Sequence, residues 1–190
     1  SSALRLEQIQ TELAAMLAKI QAYEEGFAAD WTKQMVLVAD KNDPLAGDFR
    51  AANSNFAAQV SGRMSVASIE LDVTPVRQAT PALTNWFNTG AGIIHYTGHG
   101  KVTVLTSSAL FNTTHVAKLS NARPPIFVAL TCLAGSYESP GVTSLSESLL
   151  VKSGGGAVAA WSPSGYSLND SAVALGTDFY AVVINRGATA

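Results

Sequence analysis

Early in the chain the apolar residues fall at Leu6, Ile9, Leu13, Leu17 and Ile20, the three- and four-residue steps of one helical face, with no glycine or proline between them. This spacing predicts an amphipathic helix ending near Glu25-Gly26. The pattern then changes. Met35 to Ala39 is a continuous apolar run of strand length, stopped by the turn-rich Asp40-Lys-Asn-Asp-Pro44. Asp48 can cap a helix carrying Phe49, Phe56 and Val60, and Val66, Ile69 and Leu71 mark a second strand. Thr80-Pro81 reads as an N-cap followed by proline at the first helical position, with Gly90 ending that helix. Ala91 to Tyr96 is a third strand, and Pro124-Pro125 announce a fourth, Ile126 to Thr131. Ser144 and Glu147 have capping-box spacing ahead of a helix through Leu149-Leu150. Gly156 to Trp161 is a fifth strand, and Asn169 to Arg186 a last helix stopped by Gly187.

Strands that are apolar throughout and alternate with helices predict an α/β domain, with a parallel sheet between helical layers. The 190 residues suffice for one domain with a real core, and no internal repeat or linker divides them. Only 14% of residues are charged, which is low for a free-standing surface. That composition, and a start at Ser1 rather than Met, fit a piece of a larger precursor whose other domains cover some of this surface. A net charge of −2 without any Lys/Arg run argues against nucleic acid as a partner. No apolar run approaches a membrane span. A single cysteine forms no internal disulfide and leaves the redox compartment open.

Composition leaves the chemistry to two strand ends. Gly98-His99-Gly100 follows the third strand, and Cys132 follows the fourth. In an open parallel sheet the C-terminal edge of the strands is where ligands bind. A thiol there can act as a nucleophile, and an imidazole can protonate a leaving amine. Gly98 helps turn the chain so that the ring faces outward. Glycine at 100 lets its N–H approach a substrate oxyanion, with the Cys132 N–H as a second donor. Ser162-Pro-Ser-Gly165 ends the fifth strand on the same edge and is positioned to wall a cleft. Taken singly, Cys132 reads first as a small buried hydrophobe and His99 as a turn residue bonded to backbone; their joint placement at two strand ends is what points toward function.

The stretches Ile93-Ile-His-Tyr-Thr-Gly-His-Gly100 and Pro124-Pro-Ile-Phe-Val-Ala-Leu-Thr-Cys132-Leu-Ala-Gly135 resemble the gingipain-type cysteine peptidases, bacterial members of the caspase-like clan. Lys19 to Glu24 ahead of Trp31, Val36 to Asp40, Ser144 to Leu150 and Gly155 to Ala159 resemble further elements of that family in the same order. The resemblance spans nearly the whole chain. It implies a caspase-like three-layer α/β/α sandwich with a mainly parallel sheet of five to six strands, and peptide-bond hydrolysis by a cysteine endopeptidase. It assigns Cys132 as nucleophile and His99 as general acid/base, with the Gly100 and Cys132 amides as oxyanion hole. It also carries Thr97, Gly98, Leu130, Ser162, Ser164 and Tyr166 over to the substrate pocket. Members are mostly secreted or cell-surface proteins acting on protein or peptide substrates. The chemistry requires no cofactor, though some members bind structural calcium. The sequence departs from the family at His95, where an asparagine is expected, and it ends after a fifth recognisable strand.

Other residues admit two readings. Asp40, Asp43 and Asp48 surround the loop after the first strand, either as turn and capping residues or as a carboxylate in the substrate pocket. His95 and His99 are four apart, but a strand-to-turn context points their rings apart and argues against zinc. His115 reads as a solvated loop residue, Glu147 as a cap, and Trp161 as either a cleft wall or part of the sheet packing. A catalytically silent caspase-like domain used for protein interaction or secretion is the alternative function. A flavodoxin-like binder is disfavoured because Asp40-Lys-Asn-Asp-Pro44 is acidic where a phosphate loop belongs.

Overall fold

The computed structural model describes residues 2–26 and 29–185. Five strands form one parallel sheet: β1 (Gln34–Ala39), β2 (Ser65–Glu70), β3 (Ile93–Thr97), β7 (Ile126–Leu130) and β8 (Ala159–Trp161), in the spatial order β2-β1-β3-β7-β8. Side chains alternate across a strand, so each apolar run feeds two cores. Val36, Val38, Ile94, Tyr96 and Phe127 face α3 (Val76–Thr89) and α5 (Leu145–Val151), while Met35, Leu37, Ile93 and Val128 face α2 (Phe49–Gln59) and α6 (Asn169–Asn185). The expected caspase-like three-layer α/β architecture is therefore what this sequence builds, with five strands in the main sheet among the described residues.

Register fixes the functional edge. Ala39, Thr97 and Leu130 lie side by side at the ends of β1, β3 and β7. The next few residues of each strand, Asp40, Gly98-His99 and Thr131-Cys132, therefore emerge together. Strand β8 is level with Val128 at Trp161, so Ser162 leaves the sheet slightly below them.

Several local predictions hold in detail. The Asp48 carboxylate accepts from Ala51 N at 2.8 Å, and Ser144 and Glu147 form a reciprocal capping box. The third helix begins earlier than Thr80-Pro81 suggests. Pro75 is its N-cap, and Pro81 sits inside it. The reason lies in the buried face: Ala79, Leu83 and Phe87 recur at helical spacing, and including Ala79 requires a start ahead of Thr80. Thr80 Oγ1 instead donates to the Leu110 carbonyl at 2.7 Å. The predicted stop of the last helix at Arg186 and Gly187 lies outside the described residues.

Helix α1 (Ser2–Glu25) forms as predicted, but its apolar stripe faces outward: Leu6, Ile9, Leu13 and Leu17 are each more than half exposed. The helix is held from another side, where buried Lys19 donates through Nζ to the carbonyls of Leu149 and Leu150 at the C-terminus of α5. No described helix is long and apolar enough to cross a membrane. Between β3 and β7 the chain adds a small antiparallel sheet, β4 (Gly100–Lys101), β5 (Val104–Leu105) and β6 (Phe111–Asn112), then α4 (Thr113–Val116). Two-residue strands leave no periodic signal, so the sequence did not announce them. His115 is not a solvated loop residue. Its Nδ1 accepts from Asn112 N at 3.2 Å in a capping box, and its ring stacks on Phe111.

Candidate active site

The third strand ends in a hydrogen-bonded chain beneath the surface. Thr97 is fully buried, and its hydroxyl donates to Asn53 Oδ1 at 2.8 Å. That uses its one proton, so His95 Nε2–H donates to Thr97 Oγ1 at 2.7 Å and His95 Nδ1 accepts from the Tyr180 hydroxyl at 2.8 Å. Burial drives the His95 pKa down to about 3, so the ring is neutral. Both of its nitrogens are occupied, which closes the zinc reading from this side. Among the described residues no group of three or more His, Cys, Asp or Glu side chains is placed to hold a metal ion.

Next comes Gly98, with φ of +153°. A Cβ there would lie 2.2 Å from Asp40 Cβ and 2.6 Å from Tyr96 Oη, so only glycine fits. The turn delivers His99, whose backbone is tied at both ends. Its N–H donates to Asp40 Oδ2 at 3.1 Å; its carbonyl accepts from Tyr96 Oη at 2.6 Å and from Thr106 N at 2.9 Å. Asp40 is itself buried and also accepts from Lys41 N, and its Oδ2 lies 3.0 Å from Tyr96 Oη, sharing the one phenolic proton with the His99 carbonyl. Burial, with the Asp40 charge second, holds the Tyr96 phenol well above its ordinary pKa, so Tyr96 stays a donor.

The imidazole of His99 is half exposed. Its Nε2 lies 3.0 Å from Asp43 Oδ2, and its ring meets Phe49 edge-on at 5.5 Å. Asp43 is aimed by its own loop, accepting from Leu45 N at 2.9 Å through Oδ1. That backbone N–H, and then His99, hold its carboxyl below the usual range. With Nε2 engaged, Nδ1 is the ring nitrogen left for a reacting group.

Cys132 is partly buried after β7, with its Sγ 3.5 Å from both the N and the O of Ser167. The next residue, Leu133, has φ of +60° and donates to the Gly165 carbonyl at 3.0 Å, which turns the chain sharply away from the thiol. Gly100 joins the two strand ends, since a Cβ on it would lie 2.3 Å from Thr131 Oγ1 and 3.1 Å from the Cys132 carbonyl. Its amide is not committed to the small sheet. The bond from Thr106 N to the His99 carbonyl makes Gly100–Leu105 a non-hydrogen-bonded pair of the antiparallel ladder.

His99 and Cys132 line one open cleft of about 540 Å³, together with Gly98, Leu130, Phe49 and the first turn of α6. Of the other pocket residues read from the sequence, Ser162 lines an adjoining hollow with Leu130, its Oγ 2.7 Å from Ser146 Oγ. Thr97 and Asp40 lie behind the surface, in the hydrogen bonds just described. Ser164 and Tyr166 are exposed and line neither space, Tyr166 being 89% exposed. Sequence reasoning did not single out Phe49 or Ser167 as cleft residues. Phe49 has a signal, because it follows the Asp48 cap and so opens a helix at this edge. Ser167, in an irregular loop, has none.

Residues 8–190 match the family model of peptidase family C25. In fold, the chain is similar to the crystal structure of the Arg-specific cysteine proteinase gingipain R (RgpB), with a TM-score of 0.69 and 23% identity over 83% of this chain and 38% of that one. It is also similar to the complex of the RgpB pro- and mature domains from Porphyromonas gingivalis, with a TM-score of 0.66 and 22% identity over 78% of this chain and 36% of that one. A structure described as a protease gives 0.64 and 20% identity over 95% of this chain and 38% of that one. The chain thus spans under two fifths of these proteins. No curated protein sequence matches it. With its α/β architecture shared with gingipain R and nearly its whole length matched by the family model, the chain belongs to peptidase family C25.

Proposed function

We propose that this domain is a cysteine endopeptidase that uses Cys132 as nucleophile and His99 as general acid/base. The observation that carries the reading is the shared cleft, with a partly exposed thiol and a carboxylate-oriented imidazole on adjacent strand ends. In the acylation step His99 takes the thiol proton, Sγ attacks the scissile carbonyl carbon, a C–S bond forms, and the carbonyl π pair moves onto oxygen. The Gly100 and Cys132 N–H groups stabilise that oxyanion. Collapse breaks the C–N bond, and the amine leaves with a proton from His99. A water then attacks the thioester and gives a proton to His99; collapse breaks the C–S bond and releases the acid, and His99 returns the proton to Sγ. Family membership supports a secreted or cell-surface setting, with further domains of the same precursor as neighbours.

The test is peptide turnover by the wild type and by Cys132→Ala, with alkylation of the thiol followed in parallel. Turnover that disappears in the variant, and labelling confined to Cys132, are the expected results. A thiol that resists labelling in a folded protein that cleaves nothing would instead make this a catalytically silent member used for protein interaction or secretion.

A further inference from the structure

The cleft holding His99 and Cys132 continues into a smaller hollow of about 140 Å³. The two spaces share Leu130, Thr131, Ser167 and Ala172. Thr131 directly precedes the thiol, and Ser167 is the residue whose backbone touches Sγ. A substrate residue with its carbonyl over Sγ therefore has this hollow as the adjacent recess for its side chain. The walls are apolar: Ala129, Leu130, Ala172 and Leu175, with Trp161 on one side, its indole stacked on Phe179 at 4.3 Å. Among the described residues its side-chain polar atoms are the Trp161 indole N–H, a donor only, and hydroxyls, that of Ser162 being bonded to Ser146. No described Asp, Glu, Lys, Arg or His lines the hollow.

The nearby carboxylates are committed or placed elsewhere. Asp40 is buried against Tyr96 and the His99 amide, Asp43 is on the His99 ring, and Asp170 lines only the outer cleft. Resting on the peptidase reading above, we propose that this hollow receives the side chain preceding the scissile bond and selects an uncharged apolar one, of the Leu, Met or Phe class, over Arg or Lys. An apolar side chain entering it exchanges water for carbon contacts on every wall. A guanidinium or ammonium group would give up its hydration for no counter-charge. The attraction of an indole face does not match that loss, least of all with one face of Trp161 already covered by Phe179. Gingipain R, described as Arg-specific, shares the fold at 23% identity, so a shared architecture would here carry a different selectivity.

Two sets of reagents test this on the whole chain, each varied only at the residue before the scissile bond: fluorogenic peptides, and matching peptidyl acyloxymethyl ketones that alkylate the thiol. Among Leu, Met, Phe, Arg, Lys and Asp, the best apolar residue is expected to exceed Arg and Lys in kcat/KM by about 100-fold. Leu175→Glu places a carboxylate at the rim, at a position 59% exposed and so tolerant of the change. It should narrow that ratio by about tenfold. Cleavage after Arg or Lys at least as fast as after apolar residues, with labelling at Cys132, would overturn the selectivity and leave the peptidase reading standing. A ratio unmoved by Leu175→Glu would overturn the assignment of this hollow as the pocket. No cleavage and no labelling by any member would overturn the peptidase reading and the selectivity together.

Discussion

Asp43 Oδ2 lies 3.0 Å from His99 Nε2, and the contact joins two loops that leave neighbouring strands, β1 and β3. The carboxylate is fixed by Leu45 N before it meets the ring, so it orients the imidazole rather than being oriented by it. Asp43→Asn should lower kcat/KM about tenfold or more by weakening control of the ring's tautomer, with Asp43→Glu recovering part of the loss. Because both side chains are substantially exposed, the melting temperature should hardly move. Asp43 ionises below the usual carboxylate range, so in the wild type this support persists as pH falls until that lowered pKa is reached. Steady-state kinetics across pH for the three proteins checks the point, and equal kcat/KM values would remove Asp43 from the mechanism.

Asp40 does a different job one turn away. It is buried and accepts from Lys41 N, Tyr96 Oη and the His99 amide. Asp40→Ala frees the His99 amide at a buried strand end and leaves the Tyr96 hydroxyl with the His99 carbonyl alone. The expected cost is about 2–4 kcal/mol in urea denaturation. At temperatures where the variant is still folded, turnover should already be reduced because the His99 backbone has lost one of its three ties. A variant with wild-type stability would mean that water replaces the carboxylate there without loss.

The fold was legible because the apolar runs at Met35–Ala39, Ile93–Ile94 and Ile126–Leu130 are too continuous for a half-exposed sheet, and their punctuation by Gly and Pro sets their ends. The placement of His99 and Cys132 at two strand ends followed from the same logic, and the family match bears out the family resemblance. The direction of side chains was less accessible. Thr97 sits in the Gly-flanked turn motif, yet strand alternation sends it inward with His95, into hydrogen bonds with Asn53 and Tyr180 that no local pattern encodes. Asp40 and Asp43 are three apart in one turn, and only tertiary packing decides that one is buried behind the histidine and the other faces its ring. The α1 stripe shows the limit of periodicity, which establishes a helix but not what its apolar face meets.

Gly98 tests how tightly the β1 and β3 ends are packed. An added methyl would meet Asp40 Cβ at 2.2 Å and Tyr96 Oη at 2.6 Å, from a backbone at φ of +153°. Gly98→Ala should therefore destabilise by about 2–4 kcal/mol and reduce turnover, since the atoms it displaces are those that hold the His99 backbone. Gly62→Ala is the control. It carries a positive φ of +78° with open space around the methyl, so only backbone strain of about 1 kcal/mol is expected. Similar losses in the two variants would show that strain rather than crowding governs position 98.

His95 gives the clearest pH signature. The ring is buried and neutral, donating through Nε2 and accepting through Nδ1, with its pKa lowered from an ordinary 6.5 to about 3 because burial disfavours the imidazolium. Between those two values the unfolded chain binds a proton that the folded chain does not. The stability associated with neutral His95 is thus fully present above pH 6.5 and is lost progressively as pH falls toward 3. Inside that window the contribution amounts to about 1.4 kcal/mol per pH unit. Exposed carboxylates also titrate at the acid end, so the informative quantity is the difference between wild type and His95→Gln, which lacks the titrating ring. From pH 6 to pH 5 the wild type should lose about 1 kcal/mol more than the variant, whatever the variant's stability at neutral pH. Proton NMR gives the direct counterpart: the His95 ring resonance should not shift between pH 8 and pH 5. Parallel stability curves, or a His95 resonance moving with an ordinary midpoint, would show that this imidazole is open to water.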